Sequence, residues 1–398
     1  MNMKRFVLAV ATIGLVCLAA SSVRAQGDFA LKFQTAPPTD PLFQSSRITM
    51  SQLPEAPAEL KALPKGLSNN VRYFAFKVGG RPVIVVAKPS LPRTLYLDVA
   101  GTGDLTDAEP MPMTRTVGTV IYGPATISIP GEKASVKVCI SPVRADVYVV
   151  YAGGYMAGEV TLDGQTYRAA AVDRNLNGRY DDVAGIIGPG ALRTGDFLAI
   201  DLNRDGKFDE TFLEGGEWLP LLPAVRVGGA YYSVKVAADG SSIHLDKAAP
   251  PPAAVEIASA DVVLAAVSDW GFHELKGGGK RDAAAGLYRV VALRLERTDP
   301  EGVKWTVRGY PSTVQNSAVI ELKPGEVTAL KIGPPLVAKV DAEEAKGRIV
   351  SLGLGIQGQG GEAYYPGAAK NGKAVPAPTF KILDEAGKVL AAASFEYG

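Results

Sequence analysis

Two stretches of the chain place oxygen-bearing side chains at a spacing that suits a hard cation. Asp173-Arg174-Asn175-Leu176-Asn177-Gly178-Arg179-Tyr180-Asp181 and Asp201-Leu202-Asn203-Arg204-Asp205-Gly206-Lys207-Phe208-Asp209 carry Asp or Asn at the first, third, fifth and ninth positions and Gly at the sixth. Calcium takes about six to eight oxygens at about 2.3–2.6 Å; alternate side chains of a tight loop supply them when the seventh residue adds its carbonyl and Gly permits the sharp turn. The expected ligands are Asp173, Asn175, Asn177 and Asp181 in the first loop and Asp201, Asn203, Asp205 and Asp209 in the second. The competing reading is a pair of Asx turns in which the same residues serve turn geometry alone. Recurrence of one spacing with the same Gly favours calcium.

The loops resemble the calcium loops of EF-hand, dockerin and thrombospondin type 3 proteins, and that resemblance implies bound calcium. They depart from the EF-hand in two respects. Its bidentate acid at the twelfth position is replaced by Ala184 and Phe212, so Asp182 and Glu210 at the tenth, or Glu214 further on, have to complete the shell. Each loop also follows an apolar, strand-like run, Tyr167 to Val172 and Phe197 to Ile200, in place of a helix. A sensor works by moving helices, so the expected role is structural, with calcium stapling adjacent hairpins at an affinity of about 10⁻⁴–10⁻³ M because charged ligands are few. A degenerate third copy starts at Asp98 after the run Thr94 to Leu97; it keeps Gly103 at the sixth position but has Ala100 at the third.

Other chemistry is sparse. His244 and His273 stand alone in sequence without a metal-ligand neighbour, which argues against a zinc site. No Gly-x-Ser-x-Gly elbow occurs, and Gly277-Gly278-Gly279-Lys280-Arg281 lacks the spacing and the Ser or Thr of a phosphate loop, so it reads as a flexible turn. Glu214, Glu217, Asp181 and Asp182 could include the acid and base of a glycoside hydrolase, with Trp218, Tyr231 and Tyr232 as a stacking face for sugar rings. Those acids are already accounted for by the metal loops or exposed turns, and such rings are more often core. A non-enzymatic protein is therefore the first reading, and a glycan-binding or glycan-cleaving protein the alternative.

The elements that must position these loops read as strands. Short alternating or continuous runs rich in Val, Ile, Tyr and Phe recur, and no long stretch keeps apolar residues at helical spacing, so the fold is expected to be all-β and mainly antiparallel. Gly79-Gly80 between Val71 to Val78 and Arg81 to Lys88, and Asp163-Gly164 between Gly158 to Leu162 and Gln165 to Val172, are two-residue hairpin signals. Ala238-Asp239-Gly240 joins Tyr231 to Ala237 and Ser242 to Asp246 in a third hairpin. Residues 26–68 read as an extended arm with a short helix around Pro57 to Leu63, 69–247 as a β-domain holding the loops, and 248–254 as a proline-stiffened linker. Beyond it, Val255 to Val267, Gly286 to Arg297, Val303 to Tyr310, Ser317 to Leu322 and Thr328 to Ile332 read as strands of a β-sandwich over 255–335. Residues 336–398 form a further β module or complete that sandwich. The run Ala285 to Val290 is similar to transthyretin-like or carboxypeptidase-regulatory-like sandwich repeats of exported bacterial proteins, a resemblance that bears on fold alone.

Composition bounds the setting. Lys4 and Arg5 precede an apolar run from Phe6 to Ala20, and Val23 and Ala25 suit a signal peptidase, so residues 1–25 read as a secretory signal and the chain as periplasmic or extracellular. The run is short for a membrane span. Removing it leaves 39 basic against 41 acidic residues, a balance that argues against nucleic acid or an anionic membrane as partner; the expected partner is an unidentified protein or glycan. Cys139 is then the only cysteine, so no internal disulfide can form and stability rests on core burial and calcium.

Overall fold

A computed structural model of the chain describes residues 26–396 apart from 37–39, 41, 43–45, 68–69, 90–92, 117–118, 130–134, 189–190, 209–216 and 317. Residues 1–25, expected to be a secretory signal, and the acids Asp209, Glu210 and Glu214 lie outside the described residues. As the sequence pattern predicts, the regular structure of the described residues is almost all strand; its sheets are antiparallel except where Pro252–Ile257 runs parallel to Val327–Leu330.

The first half stacks four sheets face to face. Gln26–Ala30, Ser242–Ala248, Ala230–Val236 and Ala224–Val227 form the first layer. The second orders Trp218–Pro220, Phe197–Ile200, Gln165–Val172, Gly154–Leu162 and Lys32–Thr35. Val160, Ala169, Ala171 and Leu198 of the second layer meet Tyr232, Val234, Ile243 and Leu245 of the first. Side chains alternate across a strand, so the opposite face of the second layer is also apolar. There Ala170, Val172, Phe197 and Ala199 meet Ile121 and Cys139 of a third layer, ordered Arg47–Ser51, Val147–Ala152, Ser135–Arg144, Thr119–Ser128 and Met113–Thr116. The far face of that layer packs Val138, Ile140, Tyr148 and Val150 on Phe74, Phe76, Val83 and Val85 of Arg72–Val78, Arg81–Lys88 and Thr94–Leu97. Layers covered on both faces account for Phe197–Ile200 being a continuous apolar run instead of an alternating one.

Cys139 reports on this stack. It is buried between the second and third layers, and desolvation pushes its thiol up to about 11, where little thiolate exists at neutral pH. The folded protein is expected to resist a maleimide that labels the unfolded chain at once. Labelling at the rate of an exposed thiol under native conditions would show that the two layers do not meet.

The arm is built into the layers. Gln26–Ala30 pairs with Ser242–Ala248, Lys32–Thr35 pairs with Gly154–Leu162, and Leu31 turns the corner between the two sheets with its side chain in their shared core. The helix expected around Pro57 to Leu63 is a single turn closed by Leu60 N donating to Pro57 O. The next amides, Lys61 and Ala62, donate to the Gly103 carbonyl of the third loop, so they are taken by a tertiary partner.

The second half is a sandwich. Gly279–Ala284, Pro252–Ile257 and Val327–Leu330 face a larger sheet centred on Val262–Ser268 and Gly286–Thr298, with Val255 and Ile257 packed against Leu264, Tyr288 and Val290. Val255 to Val267, expected as one strand, is therefore two, in opposite sheets, joined through a bend at Ser259 to Asp261. Nor is Gly277-Gly278-Gly279 a loose turn: Gly277 and Gly278 donate to the Val262 and Ile257 carbonyls, and a Cβ on Gly277 would stand 1.9 Å from Ser259 O. Lys304–Gly309 pairs with Ala363–Lys370, through which Arg348–Gln357 and Val337–Ala345 extend the larger sheet. Thr379–Leu383 and Val389–Ser394 make a separate hairpin. The two halves touch where Ile186 and Leu222 pack on Val267 and Phe272, and where Arg289 Nε donates to Ile186 O.

Candidate metal centre

The loops begin where buried strands end. Asp173 follows Gln165–Val172, Asp201 follows Phe197–Ile200 and Asp98 follows Thr94–Leu97, and all three carboxylates are buried. Each does the same work. One oxygen accepts the amide four residues on (Asn177 at 3.2 Å, Asp205 at 3.1 Å, Thr102 at 3.1 Å), and the other accepts the amide five residues on (Gly178 at 2.8 Å, Gly206 at 2.8 Å, Gly103 at 2.9 Å). The fourth and sixth residues have left-handed backbone in every case: Leu176 at φ 58° and Gly178 at 83°, Arg204 at 61° and Gly206 at 84°, Gly101 at 68° and Gly103 at 73°. The degenerate copy thus shares the loop conformation, although Ala100 gives it no oxygen at the third position. Arg81 packs against that loop, donating to Val99 O at 3.1 Å, and a Cβ on Gly101 would stand 2.2 Å from its guanidinium.

The first loop ties the layers together. Leu176 enters the core between the third and fourth layers, Tyr180 packs beside that between the first and second, and Ser46 Oγ donates to the carbonyls of Asp173 and Arg174. Inside the loop, Asn175 Nδ2 and Asn177 Nδ2 donate to Asp182 Oδ2 at 2.7 and 2.6 Å. The tenth-position acid therefore faces the third- and fifth-position side chains. Asp181 is turned otherwise: its Oδ2 accepts from Arg179 Nη2 at 2.7 Å, and its Oδ1 is buried without a hydrogen bond. Beneath lies Asp196, fully buried, accepting from the amides of Arg174 and Asp182 at 3.0 and 2.9 Å. Burial pushes the Asp173 carboxyl up to about 7 and that of Asp196 up to about 8, against the pull of the amides that bond them; the nearby Asp182 charge adds to both. A divalent cation there would favour the ionised forms.

The second loop gathers more charge. Ligand oxygens of Asp201, Asp205 and Glu217 all lie within 4.8 Å of one another, with Asp201 and Glu217 buried and Asp205 exposed. Glu217 also accepts the Asn203 amide at 2.8 Å, and Asn203 Oδ1 accepts the Asp205 amide at 2.8 Å. Asp201, Asn203 and Asp205 thus lie together, and Asp209 is outside the described residues.

Glu217 and Asp196 both accept amides of these loops, and neither is among the ligands expected from spacing. Antiparallel pairing brings them in: Val172 lies opposite Phe197 and Ala199 opposite Trp218, so the acid just before each returning strand stands beside the loop that ends its neighbour. An acid directly preceding the next strand is the sequence signal for such a partner.

Trp218, Tyr231 and Tyr232, the rings that the glycan alternative would need on one face, point to different places. Trp218 packs edge-on against Phe197 at 5.0 Å, Tyr232 is buried in the core of the first two layers, and Tyr231 turns away from it towards Trp270 and His273, each at 6.0 Å. Tyr231 and Tyr232 are neighbours on one strand and so point to opposite faces. Below the second loop, a cavity of about 50 Å³ lined by Ile200, Glu217 and Arg226 has room for water and not for a sugar ring. Comparison of the chain with family models, curated proteins and solved structures finds no match.

Proposed function

We propose that the protein is an exported, non-enzymatic calcium-binding β-protein with a structural, interaction or display role, in which calcium braces the layered first half. The convergence of Asp201, Asp205 and Glu217 is the observation that supports this most. Oxygens bound to one calcium at about 2.3–2.6 Å stand at most about 4.6–5.2 Å apart, and these three meet that limit. Three carboxylates at such distances repel one another, and a divalent cation turns the repulsion into attraction. The residues present therefore fit the ion: Asp201, Asn203, Asp205 and Glu217 hold it in the second loop, and Asp173, Asn175, Asn177 and Asp182 offer a less charged set in the first.

The secretory signal at residues 1–25 and the absence of a second cysteine in the chain after it support the same reading, since a cation can replace the missing cross-links of an exported protein. Among the described residues no helix is long and apolar enough to cross a membrane. With an affinity of about 10⁻⁴ M, about 1 mM calcium adds about 1.4 kcal/mol per loaded loop. That corresponds to a rise in melting temperature of about 3–6 °C. A chelator is expected to remove this increment from the wild-type protein and to leave Asp173→Ala with Asp201→Ala unchanged. Superimposable wild-type melting curves with and without chelator would contradict the reading.

A further inference from the structure

The first strand is held by a group that the calcium reading does not use. His244 lies on the outer face of Ser242–Ala248, directly opposite Asp28 of the edge strand Gln26–Ala30. Its Nδ1 is 2.8 Å from Asp28 Oδ1 and its Nε2 is 2.8 Å from Asp246 Oδ2. A carboxylate can only accept, so both ring nitrogens must carry a proton for both bonds to form, and that species is the imidazolium. The other oxygen of Asp246, Oδ1, is buried without a hydrogen bond, so among the described side chains the imidazole is the group that bonds this carboxylate. On the other side Ala230–Val236 places Lys235 opposite His244, so the imidazole faces two acids and one base across its sheet.

We propose that Asp28, His244 and Asp246 form a protonation-dependent latch, which fixes the first strand to its sheet when the imidazole is charged and loosens it when that charge is lost. The strand matters because its continuation links two sheets. Leu31 carries the chain from the first layer to the second, where Lys32–Thr35 forms the edge, so residues 26–35 strap the two layers across their shared core. A loosened latch bares the backbone edges of Ser242–Ala248 and Gly154–Leu162, which are templates for strand addition.

The direction of the pH effect is set by the two acids, whose hydrogen bonds raise the His244 pKa above its ordinary value. A group raised on folding contributes stability that is complete below its unfolded value of about 6.5 and lost as pH rises through the folded value. Asp28 is exposed and His244 and Asp246 are half-exposed, so the effect of the latch is modest and weakens with salt.

The chain has two histidines, which makes the test direct. His273 is buried against Ser268 and pushed down to about 3, so it remains neutral throughout the neutral range. A histidine NMR titration of the wild-type chain is expected to show one imidazole titrating above about 6.5, moved down in Asp246→Asn and in Asp28→Asn. Hydrogen exchange of residues 26–35, corrected for intrinsic rates, is expected to speed up by a few-fold between about pH 5.5 and 8.5. In His244→Gln that pH response is absent. A wild-type His244 that titrates at its ordinary value, or a strap whose exchange responds to pH equally in His244→Gln, overturns the proposal. Neither readout depends on calcium.

Discussion

Replacing Asp173 by Ala is expected to lower the unfolding free energy by about 3 kcal/mol or more, read by urea denaturation. The carboxylate is buried and accepts the Asn177 and Gly178 amides, and removing it leaves two donors inside the protein without an acceptor, at about 1–3 kcal/mol each. The loss extends beyond the loop, because the same amides hold Leu176 in its left-handed conformation and in the core of the third and fourth layers. Asp173→Asn keeps one acceptor oxygen and is expected to fall between wild type and Ala. A change within about 0.5 kcal/mol, as for an ordinary surface substitution, would mean that the loop does not join the layers.

In the second half, Glu362→Ala is expected to cost about 3–5 kcal/mol. Glu362 is fully buried; its Oε1 accepts from Gly333 N and, at 3.0 Å, from Tyr364 Oη, and its Oε2 accepts from Gly360 N at 3.0 Å. One carboxylate thus gathers the turn before Val337–Ala345 and the turn before Ala363–Lys370, which both feed the larger sheet. Truncation leaves these donors unpaired around a new void. Glu362→Gln retains shape and one oxygen, and its loss is expected to be smaller but measurable. Equal denaturation midpoints for wild type and Glu362→Ala would contradict this assignment.

The legible parts of the fold were those set by local geometry. Gly79-Gly80 and Asp163-Gly164 marked their hairpins because a tight turn needs left-handed backbone: Gly79 and Gly80 have φ of 55° and 79°, Asp163 and Gly164 of 47° and 78°. The strands they join, Arg72–Val78 with Arg81–Lys88 and Gly154–Leu162 with Gln165–Val172, agree with the expected runs to within a few residues. The Gly-rich corner at 277–279 is not legible because carbonyls of distant strands fix it, and the turn closed by Val262 N on Ser259 O interrupts a largely apolar run that carries no Gly or Pro. The four-layer stack was not legible either, since a continuous apolar run such as Phe197–Ile200 indicates burial on two faces without naming what covers them.

The loops divide along the same line. Asp173 and Asp201 with their Asn and Gly partners were visible in spacing, because a loop that wraps its own first carboxylate is a local object. Asp196 and Glu217 enter through strand pairing and were visible only once the register was known. Tyr231, Tyr232 and Trp218 are near one another in sequence yet face different cores, for which sequence proximity carried no information.

Calcium titration by calorimetry, on protein first stripped with a chelating resin, tests the central claim most directly. Saturable binding with a dissociation constant of about 10⁻⁴–10⁻³ M is expected, weakened strongly by Asp201→Ala and by Glu217→Gln. No saturable heat up to about 10 mM calcium, a concentration well above that range, in a protein that remains folded would contradict it.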